Sequence, residues 1–255
     1  MHTLHSISFP RLAWMLSLVI SLFAGPVAPA LAWDKDSLAQ LQPLAERGNA
    51  EAQYHVGMLY SLGIGGAGKD TKRAFEWFQK STAGNDPLGA YKLGCFYAGQ
   101  HAGVVAVDAD RALAYKLIAA KAGYALAQID VAVAYYRRNE FAEAATWLQL
   151  AAAQGYPQAA MNLSALYREG KGVEKDLVKA YAWLKHGYAV TGQKVSGRGL
   201  EVLEQMARDM SAADIAAADK LASGWRATPT ALTVAARTPK PRVEALLAQT
   251  ALPGG

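Results

Sequence analysis

Apolar and polar positions along this chain alternate at helical spacing, and the spacing itself repeats. Tyr60, Tyr97, Tyr135 and Tyr167 stand 37, 38 and 32 residues apart. Three residues before each comes a small residue: Gly57, Gly94, Ala132 and Ser164. Downstream, an alanine precedes a large aromatic by three positions: Ala74–Trp77, Ala112–Tyr115, Ala144–Trp147 and Ala180–Trp183. Each stretch closes near a glycine: Gly84, Gly123, Gly155 and Gly192. A period of this length predicts stacked helix pairs, because one pair cannot bury its apolar face alone.

Each mark has a physical reason. A small residue at a fixed helical position lets the neighbouring helix approach closely. Tyr and Trp fill the space between pairs, and the closing glycine supplies the left-handed residue that stops a helix. Asp70, Asp108, Glu140 and Asp176, each four residues before the second-helix alanine, suit a helix N-terminus. Each unit therefore reads as helix A, loop, helix B, turn. Ser37 to Gly48 reads as a lone B-type helix before the first unit. After the last, Leu200, Leu203, Ala207 and Met210 mark one helix. Ser211 with Asp214 opens another as a capping-box pair.

On these residues the chain resembles the Sel1-like repeat family, a relative of tetratricopeptide repeats. The likeness is carried by Ala52 to Gly65 with Asp70 to Gly84, and by Ala159 to Val173 with Asp176 to Gly187. It covers roughly residues 37–225. The resemblance implies an all-α fold, a right-handed α-solenoid capped by a C-terminal helix pair. Departures include an A–B loop reduced to Arg138 and Asn139 in the third unit, and a longer insert at residues 100–107 in the second.

The ends read differently. His2, His5 and Arg11 precede an apolar run over residues 12–24, then Gly25, Pro26 and the small-residue site Ala30-Leu31-Ala32. This order predicts a secretory signal peptide cleaved before Trp33, and hence a periplasmic or secreted protein with no stable membrane insertion after cleavage. The expected organisation is a signal peptide at 1–32, repeats over 33–194, capping helices over 195–225 and a disordered tail at 226–255. Four prolines in the tail and scattered Thr and Ala support that last expectation, with at most a short helix at residues 243–249.

Charge and chemistry change the picture little. Much of the net +5 lies in the tail, on Arg226, Arg237, Lys240 and Arg242 against Glu244. With no basic stripe interleaved with aromatics, nucleic acid is not an expected partner. Cys95 is the sole cysteine, so no intrachain disulfide forms, and it reads as a small buried residue. Residues 63–70 match glycine-rich phosphate loops in letters. A helix, not a strand, precedes them, and Asp70 stands where a Ser or Thr would hold magnesium. His55, His101 and His186 fall in different units without metal-ligand spacing, so neither metal nor cofactor is expected. Asn162-Leu163-Ser164 fits a glycosylation sequon but sits mid-helix.

Likeness to tetratricopeptide proteins implies a concave face lined by the A helices. One row would be His55, Lys92, Asp130 and Asn162, and a second Met58, Cys95, Val133 and Ala165. A third would hold Tyr54 and Tyr91, with Tyr136 and Arg168 further along. The expected function is an exported adaptor that binds another protein or peptide through this groove, without catalysis. The alternatives are a cell-wall or β-lactam-like hydrolase, for which no S-x-x-K motif is present, and a structural subunit of an envelope secretion or polysaccharide-export assembly.

Overall fold

A computed structural model describes residues 33–192, 194, 195 and 197–251. The expected signal peptide, residues 1–32, lies outside the described residues. All the regular elements described are helices. The A helices are α2 (Ala50–Leu62), α4 (Pro87–Tyr97), α6 (Ala125–Arg137) and α8 (Pro157–Glu169). The B helices are α1 (Ser37–Glu46), which opens the stack, α3 (Thr71–Ala83), α5 (Ala109–Lys121), α7 (Phe141–Ala153) and α9 (Leu177–Val190). Each A helix packs against the B helix before it and the B helix after it, which makes the body an all-α solenoid.

The repeated marks do repeated work. A Cβ added at Gly57 would stand 2.7 Å from the Phe78 ring, and one at Gly94 would stand 2.6 Å from the Lys116 side chain. In the fourth unit the small residue is Ser164, whose Oγ donates to the Ala180 carbonyl at 2.6 Å. In all four units the carbonyl of the marker tyrosine accepts from the acidic residue that opens helix B. Asp70 N–H reaches Tyr60 O at 2.9 Å, Asp108 reaches Tyr97 at 2.9 Å, Glu140 reaches Tyr135 at 3.0 Å and Asp176 reaches Tyr167 at 3.0 Å. This bond closes the A–B loop whatever its length.

Asp70, Asp108 and Asp176 cap their B helices, each Oδ1 accepting the amide three residues on. Glu140 makes no such bond, since its longer side chain does not return to the helix end. Gly84 also departs from expectation: its φ is −81°, and the left-handed residue is Asn85 at 63°. Gly84 is small for another reason. A Cβ there would stand 2.6 Å from Ala50 Cβ, where α3 meets the start of α2.

Beyond α9, helices α10 (Arg198–Arg208) and α11 (Ala212–Gly224) follow. Leu203 and Met206 of α10 bury against Ala180 and Leu184. Ser211 and Asp214 form the expected capping box of α11. α11 packs on α9 as a further A helix would, and Trp225 at its end stacks on Trp183 at 3.7 Å.

The tail corrects the sequence reading. Instead of a disordered segment from residue 226 with at most a short helix at residues 243–249, it forms α12 (Ala231–Arg237) and α13 (Pro239–Ala251), the second of which contains that expected helix. Its prolines do not prevent this. Pro229 precedes α12, Pro239 opens α13 and Pro241 lies in the first turn, where a missing N–H costs nothing. Val243 and Leu246 are buried in the same core cluster as Leu41, Phe78 and Phe96, with Leu232 and Ala236 packed against it. Burying those side chains offsets the ordering cost that the sequence alone left uncompensated.

Candidate functional site

The expected groove residues sit on α2, α4, α6 and α8, whose buried faces hold them in register. Nine of the twelve expected groove residues are half-buried: Met58, Tyr91, Lys92, Asp130, Val133, Tyr136, Asn162, Ala165 and Arg168; Cys95 is buried. Tyr54 and His55 are not surface residues at all, at 8% and 3% exposure. Their burial has a clear cause. His55 is walled by the rings of Trp33 at 5.3 Å and Tyr54 at 5.1 Å, with Glu51 Oε1 3.7 Å from its Nε2. Its Nδ1 makes no hydrogen bond. The C-terminal segment covers this end, leaving a cavity of about 50 Å³ bordered by His55, Asp86, Leu232 and Arg242.

At the centre of the face the structure brings together Tyr91, Lys92 and Asp130 with Cys95 and Lys116. The Tyr91 hydroxyl donates to Asp130 Oδ2 at 3.3 Å, and Lys116 Nζ lies 2.7 Å from the same oxygen. Burial pushes the Cys95 thiol up, against the opposing pull of Lys116 and Lys92, so the thiol stays protonated and unreactive. Burial also lowers the Lys92 ammonium. Among the described residues, no carboxylate lies within ion-pair distance of Lys92. It is a half-buried cation without an ion-pair partner among the described residues.

The remaining expected residues form no common site. Asn162 accepts from Gln158 one turn earlier at 2.9 Å, and Arg168 pairs with neighbouring Glu169 at 3.3 Å. Tyr136 meets the edge of Phe141 at 5.1 Å. The histidines stay apart: His101 lies on Phe96 at 4.2 Å, and His186 faces Trp225 at 5.3 Å. Among the described residues, no group of three His, Cys, Asp or Glu side chains gathers as metal ligands would.

A second set of residues escaped the sequence reading. It lies along the turns that join one unit to the next. Gln154 Nε2 donates to Gly123 O and to Gln128 Oε1, both at 2.9 Å. Gln154 Oε1 accepts from Thr230 N at 3.1 Å. Thr230 Oγ1 donates to Gly123 O at 2.9 Å. Thr233 Oγ1, fully buried, accepts the amide of Ala125 at 3.0 Å. Arg242 Nε lies 2.7 Å from Glu51 Oε1. Burial would raise the Glu51 carboxyl, but His55 and Arg242 together outweigh it and hold the group below its ordinary value. One signal did point here. Tyr124 and Tyr156 stand at the N-caps of α6 and α8, where a tyrosine cannot cap.

Comparison with known proteins places these features. The Sel1 repeat model matches residues 50–86, 87–124, 125–156 and 157–185. A Sel1 repeat protein from Oxalobacter formigenes superposes with a TM-score of 0.57 at 26% identity, over 67% of this chain and 49% of that one. The SLR-fold protective antigen c5321 of uropathogenic Escherichia coli gives a TM-score of 0.47 at 22% identity, over 84% and 51%. The ERAD-associated E3 ubiquitin-protein ligase component HRD3A of Arabidopsis thaliana is 36% identical over 58 residues, 23% of this chain. The matched segment spans only 9% of that plant protein, and this chain covers about half of each solved structure.

Proposed function

The chain belongs to the Sel1 repeat family, and on that footing we propose that it is an exported adaptor that binds another protein through its concave face. Repeats of this family generally serve protein–protein interaction. The observation that carries the finer reading is Lys92, a cation with no carboxylate partner among the described residues, on the same helix as Tyr91, whose hydroxyl bonds Asp130 of the Lys116–Asp130 pair. A half-buried ammonium of this kind gains most from an acidic side chain brought by a partner. Tyr91 beside it offers an aromatic anchor of the type that dominates interface energetics. Among the described residues no helix is long and apolar enough to cross a membrane.

The test has two arms. The full gene is expressed in a Gram-negative host and the exported fraction is sequenced from its N-terminus, with Trp33 as the expected first residue. The tagged chain and its Lys92→Glu variant are then compared as bait. The reading predicts a partner that the variant releases, with affinity lowered at least about tenfold, the scale of one interfacial charge pair. A partner held equally by both baits would place the contact off this face.

A further inference from the structure

The solenoid does not need its tail to close. α11 already covers α9, and Trp225 seals that end on Trp183. Yet the chain turns back after Trp225 and lies along the turns between units. Thr228 N donates to Ala153 O at 2.9 Å, at the turn after α7. Thr230 and Thr233 bond Gly123 O and Ala125 N, at the turn between α5 and α6. Arg237 Nε donates to the Tyr156 hydroxyl at 3.3 Å, with its guanidinium 4.4 Å from the ring centroid. Arg242 pairs with Glu51 at the start of α2.

These are the contacts of a ligand on a host surface. Most use main-chain groups of the turns, which the repeat presents unit after unit. The Ala125 amide is one of the donors that a helix start leaves unsatisfied. Tyr124 cannot satisfy it, and the hydroxyl of Thr233 does so from 108 residues away. The tail helices, of 7 and 13 residues, are too short to persist alone in water. They are helical because they are docked.

We propose that the row of inter-unit turns from α2 to α8 is a peptide-docking surface and that the segment after Trp225 is its tethered ligand. The surface accepts from a partner protein a segment of the same chemistry. That segment is a Thr-x-x-Thr that caps a short helix, an arginine for Tyr156 and apolar anchors for the core edge. The tail occupies the surface until such a segment displaces it. This surface meets the Lys92 rows at Tyr54 and His55, but none of the tail contacts named above involves Lys92, so the two readings can fail separately.

The test uses the full chain and a labelled peptide of residues 226–251. A tethered tail acts at an effective concentration near the millimolar range, so the wild-type chain should exclude the peptide. A variant carrying Thr230→Val, Thr233→Val and Arg242→Glu alters only the tail and leaves every residue of the repeat body in place. Fluorescence anisotropy should show the wild-type peptide binding this variant at least about tenfold tighter than the unaltered chain. A peptide carrying Thr233→Val should not bind. Far-ultraviolet circular dichroism verifies that the variant body is folded. No binding to the folded variant overturns the proposal, as does equal binding to both chains. A concentration-dependent dimer of the wild-type chain, abolished by the tail substitutions, also overturns it, because the occupant would then be a second copy.

Discussion

The A helices of the two halves of the solenoid begin differently. α2 starts at Asn49, whose side chain accepts Ala52 N at 2.8 Å, and α4 starts at Asp86, which accepts Leu88 N at 2.7 Å and Gly89 N at 3.2 Å. α6 and α8 start at Tyr124 and Tyr156, which make no side-chain cap. The first pair is complete within its own turn. In the second pair, α6 takes its acceptor from Thr233, and Tyr156 holds Arg237. Thr233 does not replace those caps, since it accepts the first amide of α6 rather than the amides further in; it serves a first-turn donor that the helix leaves free, and that donor marks where the tail docks.

This contrast can be broken most strongly at Thr233. Replacing it with Val keeps the shape and removes the acceptor of a buried amide, which costs about 1–3 kcal/mol. The loss should fall on tail docking, visible as faster exchange at Ala125 and through α12, while the urea midpoint of the repeat body barely moves. Asp86→Ala removes a local cap instead and costs about 1 kcal/mol of the cooperative transition. Its signature is the reverse, a lower midpoint with tail exchange little changed. If both substitutions shifted the same transition equally, the two classes of cap would not be different.

Acid offers a smaller and more selective probe. The Glu51 carboxyl is held below its ordinary value of 4.5, so its contribution is present above that value and disappears as pH falls through the depressed one. The groups that face it are His55 on its own helix, Arg242 from α13 and Asp86 from the start of α4. Burial raises Asp86, so that carboxyl acts in the opposite sense and favours the fold as it protonates. Tail protection should therefore weaken as pH falls below 4.5 while that of α4 does not, and Arg242→Ala should abolish the tail's acid sensitivity. Because the pair is partly exposed, the effect at neutral pH should stay within about 1 kcal/mol.

Much of the body was legible because the repeat imposes one physical demand four times. The close approaches at Gly57 and Gly94, and the caps at Asp70, Asp108 and Asp176, follow from spacing alone. The face was legible only in part. On it, Tyr91 bonds Asp130 across the two helices, a pairing that the rows did not single out. Tyr54 and His55 do not serve it, because residues remote in sequence cover them. The tail was hidden for the same reason. Val243 and Leu246 suggested no more than a short helix at residues 243–249, and apart from Gln154 the groups that fix Thr230 and Thr233 to the body are main-chain atoms, which leave no side-chain pattern.

The most direct test of this account is native-state hydrogen exchange on the full chain. If the tail is a ligand seated on a finished solenoid, the amides of α12 and α13 and that of Ala125 exchange together, through an opening well below global unfolding. The amides around Leu59 and Phe96 then remain protected. Tail amides that exchange only with those of Leu59 and Phe96 would contradict the account, because the tail would then be part of the same cooperative core.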